Sequence, residues 1–305
     1  MLDDSDHMIE KFLREISMPK TDLAQYILKI TCPAASGIVA AISGYLAAQQ
    51  CYISEMSQYD DEITGQFFTR IVFRFNEGNG DIEALKQGFD AVKAQFNMQA
   101  SFYDYAQPMK VLIMVSKFDH CLLNLLYRHH KGELDFEITA IVSNHLDLRP
   151  IAEREGIRFI YLPVTKDTKQ QQEAELLKIV DETQTELVIL ARYMQILSDN
   201  LCKQLSGRAI NIHHSFLPGF KGAKPYHQAF ERGVKLIGAT AHFVTGDLDE
   251  GPIIEQEVQR VDHAYLPDDL VSIGRDTETV ALSKAVRYFS EHRVFLNDDR
   301  TVVFK

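Results

Sequence analysis

The chain reads as an α/β protein in two parts: a ferredoxin-like βαββαβ unit, then a doubly wound, mostly parallel Rossmann-like sheet. Two observations predict this. Residues 25–106 alternate strand and helix periodicities in the order βαββαβ. Beyond Gln107-Pro108, short continuous apolar runs alternate with amphipathic stretches, the pattern of strands covered by helices on both faces. With 305 residues the chain is long enough for two separate cores.

The first unit follows a lead-in, residues 1–24, that reads as irregular or helical. Tyr26–Thr31 is expected as a strand and Gly37–Gln49 as a helix with Ile38, Ile42 and Leu46 on one face. Cys51–Tyr59 is a second strand. Gln66–Phe75 alternates: Phe67, Thr69, Ile71, Phe73 and Phe75 share one face, and Arg70 and Arg74 take the other. After a turn over residues 76–80, Asp81 is placed to cap a helix carrying Ile82, Leu85, Phe89, Val92 and Phe96. Ser101–Tyr105 closes the unit.

In the second unit, 107–305, strands are expected at Lys110–Ser116, Glu137–Val142, Phe159–Leu162, Leu187–Leu190 and Ala209–Ile212. The intervening helices fall at Leu122–His130, Leu148–Glu155, Gln170–Thr183 and Ser198–Leu205. Leu236–Val244 and Ile253–Val261 read as longer strands around an acidic loop. A long helix over Leu266–Ser290 and two short strands, Arg293–Leu296 and Thr301–Phe304, complete the chain.

A net charge of −11 argues against a nucleic-acid partner, which needs clustered Lys and Arg. No apolar run approaches the ~20 residues of a membrane span. The acidic start lacks a signal-peptide pattern. Cys32, Cys51, Cys121 and Cys202 are scattered without metal-type spacing, as expected of reduced thiols in a cytoplasmic protein.

Asn211, His213 and Asp249 carry the chemistry. Asn211 and His213 end a predicted strand, where ligands of doubly wound sheets sit, and Asp249 lies in the acidic loop Asp247–Gly251. Amide, imidazole and carboxylate together can polarise a carbonyl, hold an oxyanion and direct a proton. Singly, they would be a turn cap, a core histidine and a turn acid; their joint placement favours a site. His214 is expected to support its neighbour from the opposite face of the strand, with His227 and His242 behind the reacting groups. These histidines with Asp249 could in principle ligate zinc or iron, but HExxH, HxH and CxxC spacings are absent, so no metal is expected. The loop Ser116–His120 contains no glycine, which argues against a phosphate cradle at that helix start.

The runs Asn211–Gly219, residues 221–229, Gly238–Phe243 and Asp247–Ile254 resemble the folate-dependent formyltransferase family, and most closely its formyltetrahydrofolate deformylase branch with an N-terminal ACT domain. The resemblance spans nearly the whole chain. It implies hydrolysis of 10-formyltetrahydrofolate to tetrahydrofolate and formate within one-carbon metabolism and purine biosynthesis, with no cofactor and no covalent nucleophile. It places the catalytic roles on Asn211, His213 and Asp249. The folate ring would lie between the segment Arg192–Leu197, with Arg192, Met194, Gln195 and Leu197 as contacts, and Thr245, Gly246 and Asp247. Gln195 departs from the Arg of many relatives. The ACT resemblance implies an amino-acid effector and a homo-oligomer, but Ala34 and Ala35 replace the Asp-Arg pair of many ACT loops, which argues against effector binding there and for a role in subunit pairing. Two rival functions are formyl transfer to an amine such as glycinamide ribonucleotide, and an amino-acid-sensing, folate-binding regulator. The glycine-free Ser116–His120 loop weighs against the first and the Ala34-Ala35 departure against the second.

Overall fold

The computed structural model describes residues 23–77, 80–217, 219 and 225–305. The lead-in therefore lies outside the described residues except for its last two. The chain divides after Ala106 into two compact units.

In the first unit, β1 (Gln25–Pro33), β2 (Cys51–Asp61), β3 (Gln66–Phe75) and β4 (Gln99–Asp104) form an antiparallel sheet in the order β2-β3-β1-β4. Helices α1 (Ile38–Ala48) and α2 (Ile82–Phe96) cover one face. Ile38, Ile42 and Leu46 of α1 and Leu85 and Phe89 of α2 are buried there with Phe67, Ile71 and Phe73 of β3. Asp81 caps α2, accepting hydrogen bonds from the N–H groups of Glu83 and Ala84. The opposite face of β3 departs from expectation: Phe68 and Arg70 are as deeply buried as the core side. Arg70 is tolerated there because its Nη1 donates to Glu55 Oε1 of β2 at 2.7 Å, so the charge is paired.

The second unit holds a seven-stranded sheet. Its strands are β5 (Met109–Val115), β6 (Phe136–Ser143), β7 (Phe159–Tyr161), β8 (Leu187–Leu190), β9 (Ala209–His213), β10 (Leu236–Phe243) and β11 (Ile253–Arg260), in the order β11-β10-β9-β8-β5-β6-β7. The five strands β7-β6-β5-β8-β9 are parallel, and β10 and β11 are antiparallel additions. The chain starts this sheet in its middle, so β6 and β8 depart from β5 in opposite directions and leave a crevice at the carboxyl ends of β5 and β8.

Alternate residues of β5 feed two cores. Val111, Ile113 and Val115 pack with Cys121, Leu122 and Leu125 of α3 (His120–His130) and with Ala281, Leu282, Ala285 and Val286 of α8 (Pro267–Ser290). Leu112 and Met114 pack on the other side with Leu176, Ile179 and Val180 of α5 (Lys169–Glu182). The shorter helices α4 (Arg149–Arg154), α6 (Asp199–Gln204) and α7 (Pro225–Glu231) complete the unit with the hairpin β12 (Val294–Asn297) and β13 (Arg300–Val303). Sequence periodicity did not announce α7, which is only seven residues long. Among the described residues no helix is long and apolar enough to cross a membrane.

Thr240, fully buried in β10, fixes the chain leaving β9. Its Oγ1 donates to Ser215 O at 2.9 Å and accepts from Leu217 N–H at 3.1 Å and from Gln256 Nε2 at 3.1 Å. Thr240→Val keeps the volume and takes the acceptor from the buried Leu217 N–H, a loss of ~1–3 kcal/mol. A denaturant midpoint lowered to match that loss is expected; an unchanged midpoint would show that the loop rearranges around the change.

Candidate active site

The residues singled out in the sequence converge on one cavity of about 500 Å³ at the carboxyl ends of the parallel strands. Asn211, His213, Asp249, Arg192, Met194, Gln195, Leu197, Thr245, Gly246, Asp247, His214, His227 and His242 all line it.

Strand pairing assembles the central group. β9 and β10 run antiparallel with His242 opposite Asn211 and Thr240 opposite His213. His242 Nδ1 lies 2.8 Å from the carbonyl of Phe243, which fixes the proton on Nδ1 and leaves the lone pair on Nε2. Asn211 Nδ2 donates to that Nε2 at 3.3 Å, so the amide is held with one N–H spent and its second N–H free to meet a ligand oxygen. His242 thus touches a predicted reacting group directly.

Asp249 reaches the strand ends from the loop after β10. It adopts φ 57°, a left-handed conformation that aspartate accepts more readily than most residues. Two residues on, Gly251 crosses so close to β10 that a Cβ would sit 1.8 Å from the carbonyl oxygen of Phe243, and only glycine fits. Asp249 Oδ2 lies 3.2 Å from His213 Nδ1, and Oδ1 lies 3.8 Å from His242 Nε2. Burial pushes the Asp249 carboxyl upward, but the hydrogen bond and charge from His213 outweigh it and hold the group well below the usual carboxylate range. His213 Nε2 is buried without a hydrogen-bond partner among the described residues, and the ring lines the cavity. An unpartnered imidazole nitrogen in a cavity is a position awaiting a ligand atom.

His214 corrects an expectation. β9 ends at His213, so the two rings do not take opposite faces: their centroids lie 5.1 Å apart and both line the cavity. Burial, then the nearby positive charge of Arg192, lowers its pKa to about 4, so this ring is neutral near pH 7.

The segment after β8 is anchored by a hydroxyl. Ser116 Oγ donates to Asn144 Oδ1 at 2.7 Å and accepts from Met194 N–H at 3.0 Å, tying together the loops that follow β5, β6 and β8. Of the Met194 backbone, then, the carbonyl remains for a ligand while the N–H is already spent. The loop ends at Ser198, which caps α6 and whose Oγ donates to Glu173 at 2.5 Å.

Sequence reasoning missed a second polar cluster in the same cavity. Glu278, fully buried in α8, is met by His120 Nε2 at 2.7 Å, by the Tyr226 hydroxyl at 2.8 Å and by Arg192 Nε at 3.4 Å. Burial raises the Glu278 carboxyl, and the hydrogen bond from His120 with the charge of Arg192 brings it below its ordinary value. Partners 158 and 52 residues apart leave no local signal in sequence. His120, Cys121 and Glu278 place potential ligand atoms within 4.8 Å of one another. This donor set suits a cation poorly, since Arg192 already balances Glu278 and burial pushes the Cys121 thiol well above its ordinary value.

An amide, an imidazole–carboxylate pair and a deep cavity beyond the strand ends of a doubly wound sheet define an α/β protein equipped to act on a carbonyl. Residues 109–286 match the formyl transferase family model. A formyltetrahydrofolate deformylase of Corynebacterium sp. (strain P-1) is 52% identical over 285 residues, covering 93% of this chain and all of the relative. The crystal structure of the formyltetrahydrofolate deformylase of Burkholderia mallei superposes with a TM-score of 0.89 at 55% identity, over 92% of this chain and 100% of that one. A glycinamide ribonucleotide transformylase from Symbiobacterium toebii shares the architecture more distantly, with a TM-score of 0.62 and 26% identity over 67% of this chain and 97% of its own. The chain belongs to the formyl transferase family and, within it, to the formyltetrahydrofolate deformylases.

Removing the carboxylate from the second cluster should expose its energetics. Glu278→Gln leaves Arg192 buried without a counter-ion, a loss of about 3 kcal/mol by the usual cost of breaking a buried pair. Because the Glu278 pKa is depressed on folding, its contribution is complete above the unfolded value of 4.5 and fades as pH falls through the folded value. The stability gap between wild type and variant should therefore be full at pH 7 and narrow on acidification below 4.5; a pH-independent gap would assign the loss to packing.

Proposed function

We propose that this chain hydrolyses 10-formyltetrahydrofolate to tetrahydrofolate and formate, using Asn211, His213 and Asp249. The observation that carries the assignment of roles is His213: Asp249 holds its Nδ1, and its Nε2 meets no protein atom within hydrogen-bonding reach among the described residues.

The formyl oxygen takes the free N–H of Asn211 and the Nε2 proton of His213. As water adds to the formyl carbon, both donors strengthen on the developing oxyanion. Asp249 Oδ1, not engaged by His213, orients the water. A carboxylate held so far below its ordinary pKa is a weak base. Asp249 therefore stabilises the protonated imidazole and directs the nucleophile, while His213 moves the proton. Collapse of the tetrahedral intermediate breaks the C–N bond: His213 gives its Nε2 proton to the departing folate nitrogen and takes back one proton of the attacking water, and the formic acid formed loses the other to solvent and leaves as formate. The folate ring lies between the Arg192–Leu197 segment and Thr245–Asp247.

Water is favoured over an amine acceptor by the Ser116–His120 loop. It lacks glycine, and the Ser116 hydroxyl is already committed to Asn144 and Met194, which leaves no cradle for a phosphate-bearing acceptor. The βαββαβ unit serves as an ACT-type module for subunit pairing through its edge strands β2 and β4, and Ala34-Ala35 speaks against an amino-acid effector. Four buried, free cysteines fit a reducing, cytoplasmic setting.

EDTA-treated protein should release formate from 10-formyltetrahydrofolate without any added amine. Turnover only in the presence of glycinamide ribonucleotide would overturn the hydrolase reading. Asp249→Asn should retain folate binding and lose at least ~10²-fold in kcat, the usual scale of an acid–base contribution. His213→Ala should depress kcat far more than it raises KM; a pure KM effect would make His213 a binding residue only.

A further inference from the structure

The hydrolysis above gives the buried guanidinium of Arg192 no part in the chemical step. Arg192 is more than nine-tenths buried, and its Nε and Nη1 have no hydrogen-bond partner among the described residues. One ring of Phe118 stacks beneath the guanidinium, 5.0 Å from Cζ to the ring centroid, and Glu278 Oε2 lies 3.4 Å from Nε without closing a hydrogen bond. The residue also holds φ 65°, a left-handed conformation unfavourable for a long side chain by about 1–2 kcal/mol. A strained backbone carrying a desolvated guanidinium with idle N–H groups is a site waiting for an oxygen acceptor.

The reaction produces such an acceptor. The formyl group enters as a neutral amide and leaves as a carboxylate, the geometry a planar guanidinium fork binds best. A neutral formamide gains little from Arg192 and the formate ion gains a charge-assisted hydrogen bond, so the interaction discriminates product from substrate. The wall between the two places is continuous: the His213 and His214 rings are 5.1 Å apart, His214 and Tyr226 are 6.3 Å apart, and Tyr226 bonds Glu278, which contacts Arg192. All these residues line the one cavity. His214, held neutral, does not compete as a cation. Glu278 offsets most of the guanidinium charge, so that formate is received without being trapped.

We propose that Arg192 is a formate-binding residue, which takes the product carboxylate after C–N cleavage and makes the protein susceptible to inhibition by formate. The proposal rests on the hydrolase reading for the origin of the formate, and its binding test does not need turnover. Sodium formate should raise the thermal midpoint of the full chain beyond the effect of sodium chloride at equal ionic strength, and should inhibit formate release from 10-formyltetrahydrofolate. Arg192→Gln should weaken both effects at least ~10-fold, the size of a lost hydrogen bond to a charged group. Since that variant isolates the buried Glu278, the Arg192→Gln/Glu278→Gln pair provides a second readout with both charges removed. Formate acting on the wild type no differently from chloride would overturn the proposal. So would a variant whose KM for the folate rises while formate inhibition is unchanged, because Arg192 would then be a folate contact. A midpoint shift by formate in a protein that releases none from the folate would instead overturn the hydrolase reading and leave the anion site standing.

Discussion

The antiparallel register between β9 and β10 is the constraint on which the site depends. It sets His242 across from Asn211 and Thr240 across from His213. One partner fixes the amide and the other fixes the loop that carries the chain away from the histidine. A slip of one residue would turn the site residues of the slipped strand to the opposite face. The register is secured by burial of both strands on one face, since Ile210, Ile212, Ala239, Ala241 and Phe243 all enter one core.

Around that frame the protein spends stability on two buried acids. Asp249 is compensated by His213, and Glu278 by His120, Tyr226 and Arg192. Each acid is ionised where burial alone would protonate it, because donors reach it from other elements. The two networks sit at different parts of one cavity with His214 between them, and they differ in one respect that matters for chemistry. In the first the idle atom is an imidazole nitrogen, suited to a developing oxyanion; in the second it is a guanidinium N–H, suited to a finished anion.

Backbone strain accompanies both. Asp249 and Arg192 each sit at positive φ, and each is held by neighbours that over-determine it. Gly251 presses the Asp249 loop onto β10, and the hydrogen bonds of Ser116 hold the segment after Arg192. The cavity is thus walled by loops that are individually irregular and jointly pinned to strand ends.

The amino-acid pattern by itself determined the two-part α/β architecture, the strands and most helices, and the candidates Asn211, His213 and Asp249. Their signals are local: period-2 and period-3.6 burial, the cap at Asp81, and turn residues beside polar strand ends. Only the tertiary structure decided which groups touch. The burial of Arg70 against Glu55, the turn of His214 into the cavity beside His213, the direct contact of His242 with Asn211, and the Glu278 cluster all join residues whose separation in sequence carries no periodic mark. Periodicity reports which face of an element is dry, because burial acts on each side chain in turn. It is silent on which buried polar group pairs with which, because that depends on register and crossing geometry fixed only when the whole sheet closes.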